Sequence, residues 1–557
     1  MGKQKKKDIQ WFLLVTVVLI VVNVVSFNFF KRFDLTEDQR YSISDKTKEI
    51  IAGVEENVYV ELLFDGSTSA EYQQLFKTVK ETLDEFKITS DNKLVYFINP
   101  PAKAGADSLV LKQRQLVESM GVKRRFKTFA NESATSAKLV YPGAIIRYKD
   151  RQLSVNFIKD GKFGAEENFG QSINEVEFEL TSTIKSLSAE RVKNIAFLGG
   201  HGELEVKNVY SIIQELVKYY EIPAVGYQLD KQDLLKDSID LLIIAQPKTA
   251  FSERDKYVLD QYAINGGRIL YFLDALELRK SDSINGFVTI PYKLEIDNLL
   301  RTYGVRLAEG LIQDYTCEYD VVVTENGKPE LKRFPFLPVL STFGTHGAVK
   351  GCNPILGQYT GVLDTLKVVG MNKTPLLFSS QYTKLKAGGL IPFDYMELLL
   401  SKDEKFYNQK NLPVAYLCEG ELNSLYAHRP KPDSIDTKEF KTKGKDIKVV
   451  VVADGDIIRN SIDPRTRKNK ALGASIISQK MIYANSSFIL NIVNYLLDEK
   501  GVVTVKSKEI KPRPLDEFKF DEASERYYWV FINLGLPVLI VLLFAVARYF
   551  YRKNKFS

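Results

Sequence analysis

Only three cysteines, Cys317, Cys352 and Cys418, occur in the chain, and no two form a C-x-x-C pair. Spacing this wide gives neither a metal-ligand pattern nor a disulfide framework, although one pair could bridge in an oxidising compartment. Histidine is equally scarce, with His201, His346 and His428 far apart in sequence, so no second histidine cluster supports a metal centre. Missing too is G-x-x-x-x-G-K-[ST], the loop whose amides cradle phosphate and whose lysine reaches the terminal phosphate. If ATP drives a system that this chain serves, another chain hydrolyses it. Charge of one sign is thin: 77 basic and 70 acidic residues leave +7, part of it in lysines at the two ends. No nucleic-acid partner is expected, and no cofactor.

What the sequence does have is two long uncharged apolar runs. Trp11 to Phe30 and Trp529 to Ala547 each match the ~20 residues that cross a ~30 Å hydrocarbon layer. The first exceeds the 7 to 15 apolar residues of a cleavable signal peptide and no small-x-small site follows it, so it reads as an uncleaved anchor. With no cysteine before Cys317, a lipid-modified N-terminal cysteine is excluded. Lys3, Lys5, Lys6 and Lys7 precede the first run, while Lys31, Arg32 and Arg40 follow it, which leaves local charge nearly balanced. Long domains translocate largely regardless of charge, so the short ends decide. Arg548, Arg552, Lys553 and Lys555 close the chain, so both ends are expected in the cytoplasm and the large domain in the periplasm of a double-membrane bacterium. The spans are expected at 11–30 and 528–548, leaving a basic segment at 1–10 and a tail at 549–557.

Between them, 45% hydrophobic and 26% charged residues over about 500 positions suffice for two or three cores. The stretch 31–190 opens with a connector, Arg32 to Ser44. It then alternates strand (Val58 to Phe64), helix (Glu71 to Phe86), strand (Leu94 to Ile98), helix (Leu109 to Met120), a hairpin of GAIIRY and QLSVNF, and a closing helix (Ile173 to Leu187). This is the order of a thioredoxin-like α/β domain, without the redox motif. A second domain, 191–505, starts at IAFLGG and continues with a helix from Val209 to Tyr220 and the strand LLIIA. A helix capped by Ser252 and ending at Gly266-Gly267 then leads to a strand from Arg268. The βαβ rhythm predicts a parallel sheet with helices on both faces. From about 311 to 445 the rhythm breaks into short β-like runs, read as a β-rich insertion; the sheet resumes at Lys448 to Ala453, followed by a helix from Ser487 to Leu497. A polar tether at 506–527 precedes the second span.

The run after the first span, RFDLTEDQRYSIS, together with IAFLGGHGE, the stretch LLIIAQPKTAFSERDKYVLDQYAINGGRILYFLDAL and the later VVADGDIIRN, resembles the GldG family. That family comprises auxiliary components of an ABC-transporter-like complex in gliding Bacteroidetes. The likeness covers most of the chain, and DLTEDQRYS beside an anchor is its most specific motif. It implies partnership with a multispan permease-like subunit and, through it, a cytoplasmic ABC ATPase, together required for surface gliding. The second domain is similar to flavodoxin/amidotransferase-like α/β domains, with related modules in intraflagellar-transport proteins. Fold kinship of that kind does not establish chemistry.

Several residues carry candidate chemistry. Gly199-Gly200-His201-Gly202-Glu203 ends the first parallel strand of the second domain, on the edge where open α/β sheets gather ligands. His201 with Glu203 suits metal binding or proton transfer; the plainer alternative is a tight turn whose histidine bonds within the loop. Asp454 and Asp456 follow another strand on that edge and, with Glu203, would make an oxygen-rich ligand set, or else cap the next helix. Amidotransferase-like catalysis needs a cysteine on a strand-to-helix elbow, and Cys418, followed by Glu419-Gly420 and later Pro430 and Pro432, does not read as one. In the first span, Thr16, Asn23 and Ser26 fall within about 80° on one helix face at 100° per residue. A polar stripe at that depth is expected to face another helix rather than lipid. The partner is either the permease or the second span, where Asn533 and Gly535 offer a polar group and a close-approach point. The sequence thus favours a non-enzymatic, membrane-anchored component of a transport complex. A ligand-binding module for glycan or peptide, and a degenerate hydrolase, are the rivals.

Overall fold

The computed structural model describes residues 3–28, 43–67, 69–101, 108–131, 134–159, 168–280, 286–323, 328–392, 406–432, 439–463, 466–475, 477–478, 481–498, 501 and 523–556. The connector at 32–42 and nearly all of the tether at 506–527 lie outside these residues. Two compact units divide the chain, Met1–Lys508 and Glu509–Ser557.

The first unit begins with helix α1 (Lys3–Asn28). Helix α2 (Asp45–Ala52) follows, capped by Ser44, whose side chain accepts from the amide of Thr47. Strand β1 (Val58–Leu62) alternates buried and exposed positions, the pattern of a strand with one covered face. Helix α3 (Ala70–Thr89) buries Tyr72, Leu75, Val79, Leu83 and Phe86, an i, i+3, i+4 stripe that packs under the sheet. Strand β2 (Leu94–Ile98) and helix α4 (Ser108–Ser119) come next. A hairpin that the sequence reading did not assign, β3 (Arg125–Asn131) with β4 (Ala134–Val140), precedes the expected one, β5 (Gly143–Tyr148) with β6 (Arg151–Asn156). Lys149 turns the second hairpin with φ of 51°. The sheet order is β2-β1-β5-β6, with β1 and β2 parallel and the other neighbours antiparallel. Helix α5 (Phe169–Ser188) closes this part, capped by Asn168.

The larger sheet has eight strands. Its parallel part runs through β8 (Glu221–Tyr227), β7 (Asn194–Leu198), β9 (Leu241–Ala245), β10 (Arg268–Phe272) and the strand Lys443–Val452. β9 is buried at all five positions, as a strand covered on both faces must be. One face packs on helices α6 (Val206–Leu216) and α9 (Asn485–Leu496), the other on α7 (Glu253–Ile264) and α8 (Asp297–Tyr303). Strand β8 escaped the sequence reading because Pro223 and Gly226 break its apolar pattern; both are tolerated at an edge.

The insertion differs from expectation in one respect. Its strand Pro413–Asn423 pairs antiparallel with Lys443–Val452, and Met371–Phe378 pairs antiparallel in turn with Pro413–Asn423, so both extend the main sheet and belong to its core. The physical reason is burial: Val414, Ala415, Leu417 and Cys418 are inaccessible and need both covered faces of a sheet. A satellite core gathers Phe334, Phe336 and Leu337 of the insertion with Leu276, Leu311 and Ile391.

In the second unit, Tyr527–Asn554 is an apolar helix of 28 residues with none of its most hydrophobic window buried. Pro537 has no N–H to give the carbonyl of residue 533, and the preceding turn, Phe531–Gly535, opens to π geometry. Among the described residues this is the single helix long and apolar enough to cross a membrane; α1 carries a shorter apolar stretch, Gln10–Val22. Together they fit membrane anchoring, while the expected pair of full spans is not established by them.

Candidate functional site at the carboxyl edge of the sheet

Three of the parallel strands end in a polar residue: Gln246 directly after β9, Asp274 two residues after β10, and Asp454 two residues after Lys443–Val452. Adjacent parallel strands in register deliver these side chains to one place. Carboxylate oxygens of Asp274, Asp454 and Asp456 lie within 4.8 Å of one another. Asp454 caps a short helical turn, accepting from the Asp456 amide (2.9 Å); its other oxygen accepts from the Gln358 amide (2.9 Å) and the Thr360 hydroxyl (2.5 Å). Asp274 accepts from the Gly455 amide (2.6 Å) and from Nε2 of Gln246 (2.7 Å). A side chain at Gly455 would collide with Gln246 and Asp274, at 2.6 and 2.9 Å, so this glycine is needed for the close approach. Arg459 reaches Asp456 at 3.2 Å.

Burial first, and then the neighbouring Asp456 charge, push the Asp274 carboxyl up to about 7. Asp454 is driven well above the ordinary range for the same reasons, with Asp456 and Asp274 as the repelling neighbours. Asp456 is also raised by burial, against the pull of Arg459. Gln246 adopts a left-handed backbone (φ 56°), is only 4% exposed, and its Oε1 has no hydrogen-bond partner.

His201 and Glu203 do not join this group, contrary to the combined ligand set expected from sequence. Among the described residues the clustered carboxylates are Asp274, Asp454 and Asp456, and Asp274 was not anticipated. His201 lies in a separate arrangement. Its amide donates to Oε2 of Glu203 (2.7 Å), its Nδ1 is 3.3 Å from Glu203 Oε1, and its Nε2 is 3.3 Å from Asp255 of the α7 cap. The Nδ1 to Glu203 pair is close enough for charge attraction, yet too poorly aligned to be a hydrogen bond. The ring stacks on Phe251 with centroids 4.0 Å apart, and the His201 carbonyl accepts from the amides of Lys248 and Thr249. Burial disfavours the charged ring, but the hydrogen bond to Asp255 and the negative charges of Glu203 and Asp255 outweigh it and raise the pKa to about 9. An imidazolium held by two carboxylates has no lone pair for a metal and no tendency to act as a base near neutrality. Gly202, at φ 76°, supplies the turn.

Cys418 sits mid-strand with burial pushing its thiol up to about 12, which is the opposite of an activated nucleophile. In the helices, Thr16 Oγ1 donates to the carbonyl of Phe12 (2.8 Å) and Asn533 Nδ2 to that of Trp529 (2.9 Å). The Thr16 hydroxyl proton and one N–H of Asn533 are thereby engaged within their own helices. At Gly535 a Cβ would meet the Phe531 ring at 2.8 Å. The side chains of Asn23 and Ser26 lie outside the described residues.

Residues 192–492 match the family model described as an ABC-type uncharacterized transport system, and residues 37–147 match a domain of unknown function. An uncharacterized protein of Borreliella burgdorferi is 21% identical across the whole of both chains. Among solved structures, mmIFT52 N-terminal domain is 13% identical with a TM-score of 0.31, covering 55% of this chain and 99% of its own. A putative ThuA-like protein from Bacteroides uniformis is 11% identical with a TM-score of 0.29, covering 56% and 94%.

Proposed function

We propose, from the premise that this chain belongs to the ABC-type uncharacterized transport system auxiliary family, that it is a non-enzymatic, membrane-anchored component of such a complex. The observation that carries the reading is the unburied apolar helix Tyr527–Asn554, attached to a domain whose candidate catalytic groups are tied up internally. An anchored domain without a phosphate-binding loop needs other chains for transport and energy. We assign those roles to a multispan permease-like subunit and, through it, a cytoplasmic ABC ATPase. The finer proposal follows the sequence: α1 is a second span, both termini are cytoplasmic, and the large domain faces the periplasm, where it couples permease and ATPase to the envelope. On the GldG resemblance we extend the role to surface gliding. The strand order β2-β1-β5-β6 supports a thioredoxin-like first domain, and the five-stranded parallel core supports a flavodoxin/amidotransferase-like second one.

Purification of the full chain from native membranes in mild detergent, with identification of every co-purifying protein, tests this. A permease-like and an ATPase subunit are expected in fixed ratio; recovery of the chain without either would refute the reading. A second reading, a ligand-binding module, draws on the groove of about 1700 Å³ between α5, α6 and α9, lined by Glu179, Gln214, Tyr219, Asn491 and Asn494. It exceeds the ~300–1,000 Å³ of usual small-molecule pockets and suits an extended glycan or peptide better. A discrete added mass in native mass spectra would favour that role.

A further inference from the structure

We propose that Asp274, Asp454 and Asp456, together with the side-chain oxygen of Gln246, form a binding site for one hard divalent cation. Three carboxylates converge within 4.8 Å, and Asp454 is wholly inaccessible. Within hydrogen-bonding reach they have one cationic side chain, Arg459, which is itself 46% exposed. Beyond it, Lys248 is a further positive charge acting on Asp456, while Tyr292 and Tyr359 face the cluster as neutral phenols. Three converging negative charges, that of Asp454 fully buried, against two peripheral cations call for protons or a metal.

Gln246 points to the metal. Its amide nitrogen donates to Asp274, which fixes the group against the cluster, yet Oε1 is buried and unpartnered. A buried carbonyl oxygen left without a donor is unfavourable, and one aimed at three carboxylates meets acceptors unless a proton or a metal stands between them. A cation accepts it. Three carboxylates and an amide oxygen, with neither sulfur nor imidazole, are the donor set of calcium, magnesium or manganese rather than of zinc or copper. The hydrogen bonds already made do not consume the site, since each carboxylate oxygen carries two lone pairs. Position agrees: the ends of β9, β10 and Lys443–Val452 are pinned at one point on the ligand-gathering edge.

The test uses the full chain in detergent, stripped with chelator and titrated at pH 8 with manganese chloride, bound ion being read by electron paramagnetic resonance. One saturable manganese per chain is expected, displaced by calcium or magnesium chloride. Asp274→Asn and Asp456→Asn should each weaken it at least tenfold, and millimolar calcium chloride should raise the thermal midpoint of the wild type but not of these variants. Gln246→Glu adds a fourth carboxylate and should tighten binding, which keeps the test decisive if an asparagine variant folds poorly. Absence of saturable manganese in the wild type, or affinities unchanged in the folded variants, would overturn the proposal.

Discussion

His201 is held as a cation by Asp255 and Glu203, so its contribution to stability depends on pH in a defined direction. A folded pKa of about 9 lies above the ordinary imidazole value of 6.5, so the stabilisation is complete below pH 6.5 and is lost as pH rises through 9. Thermal or denaturant melts of the wild type between pH 6 and 9.5 should show a decline of about 3 kcal/mol across that window. His201→Ala should lower stability near pH 6 by a similar amount and flatten the decline, with complex assembly intact. An equal slope in wild type and variant would show that the imidazolium is not what holds the loop. The cysteine prediction is also local. With its thiol buried and pushed up to about 12, Cys418 should resist maleimide in the native state and react only after unfolding. Rapid native labelling at that position would reinstate it as a reactive centre.

Helix α7 shows how local chemistry reaches the edge of the sheet. Ser252 caps it, accepting from the Asp255 amide, while the Asp255 carboxylate accepts from the Ser252 amide at 3.0 Å and also faces His201. Burial works against the Asp255 charge, yet bonds from His201 and Ser252 hold its pKa down at about 2. Ser252→Ala removes one capping bond and should cost about 1 kcal/mol in denaturant unfolding. A loss below a few tenths would mean that the cap adds nothing beyond the packing of the helix. In the apolar helices, part of the expected polar surface is already engaged locally. The hydroxyl of Thr16 and one N–H of Asn533 already donate inside their own helices, and the stripe is tested at Asn23. Inter-helix bonds in membranes average ~0.6 kcal/mol, so Asn23→Leu should reduce permease recovery only in the harsher detergents of a series. Equal recovery in all of them would remove the stripe from the assembly.

At the scale of the molecule, the apolar helix of the second unit is separable from the folded part of the first. A fragment spanning 43–508 retains the cores on both faces of the large sheet and the core of the smaller one. It should be soluble and cooperatively folded after removal of both apolar helices, and should not hydrolyse ATP. Aggregation of this fragment under conditions where the full chain is stable in detergent would show that the domain depends on its membrane elements. Several parts were legible from residue patterns alone: the apolar runs, α3 and α5 with their 3.6-residue stripes, the Ser252 cap, and the buried strands LLIIA and RILYF. These are short-range properties, set by hydration of side chains and by backbone hydrogen bonding within a few residues. Strand β8, at the edge of its sheet, and the two-stranded hairpin of β3 and β4 were less legible, because strands outside the middle of a sheet need no apolar alternation. Only tertiary structure could decide the partners. Asp454 and Asp456 were visible after their strand, and the same rule applied to every strand end would have found Gln246 and Asp274. Which of the edge residues meet, however, depends on the order in which strands line up. Because β9, β10 and Lys443–Val452 are neighbours, their terminal residues converge, while His201, at the end of β7, turns instead toward the cap of α7.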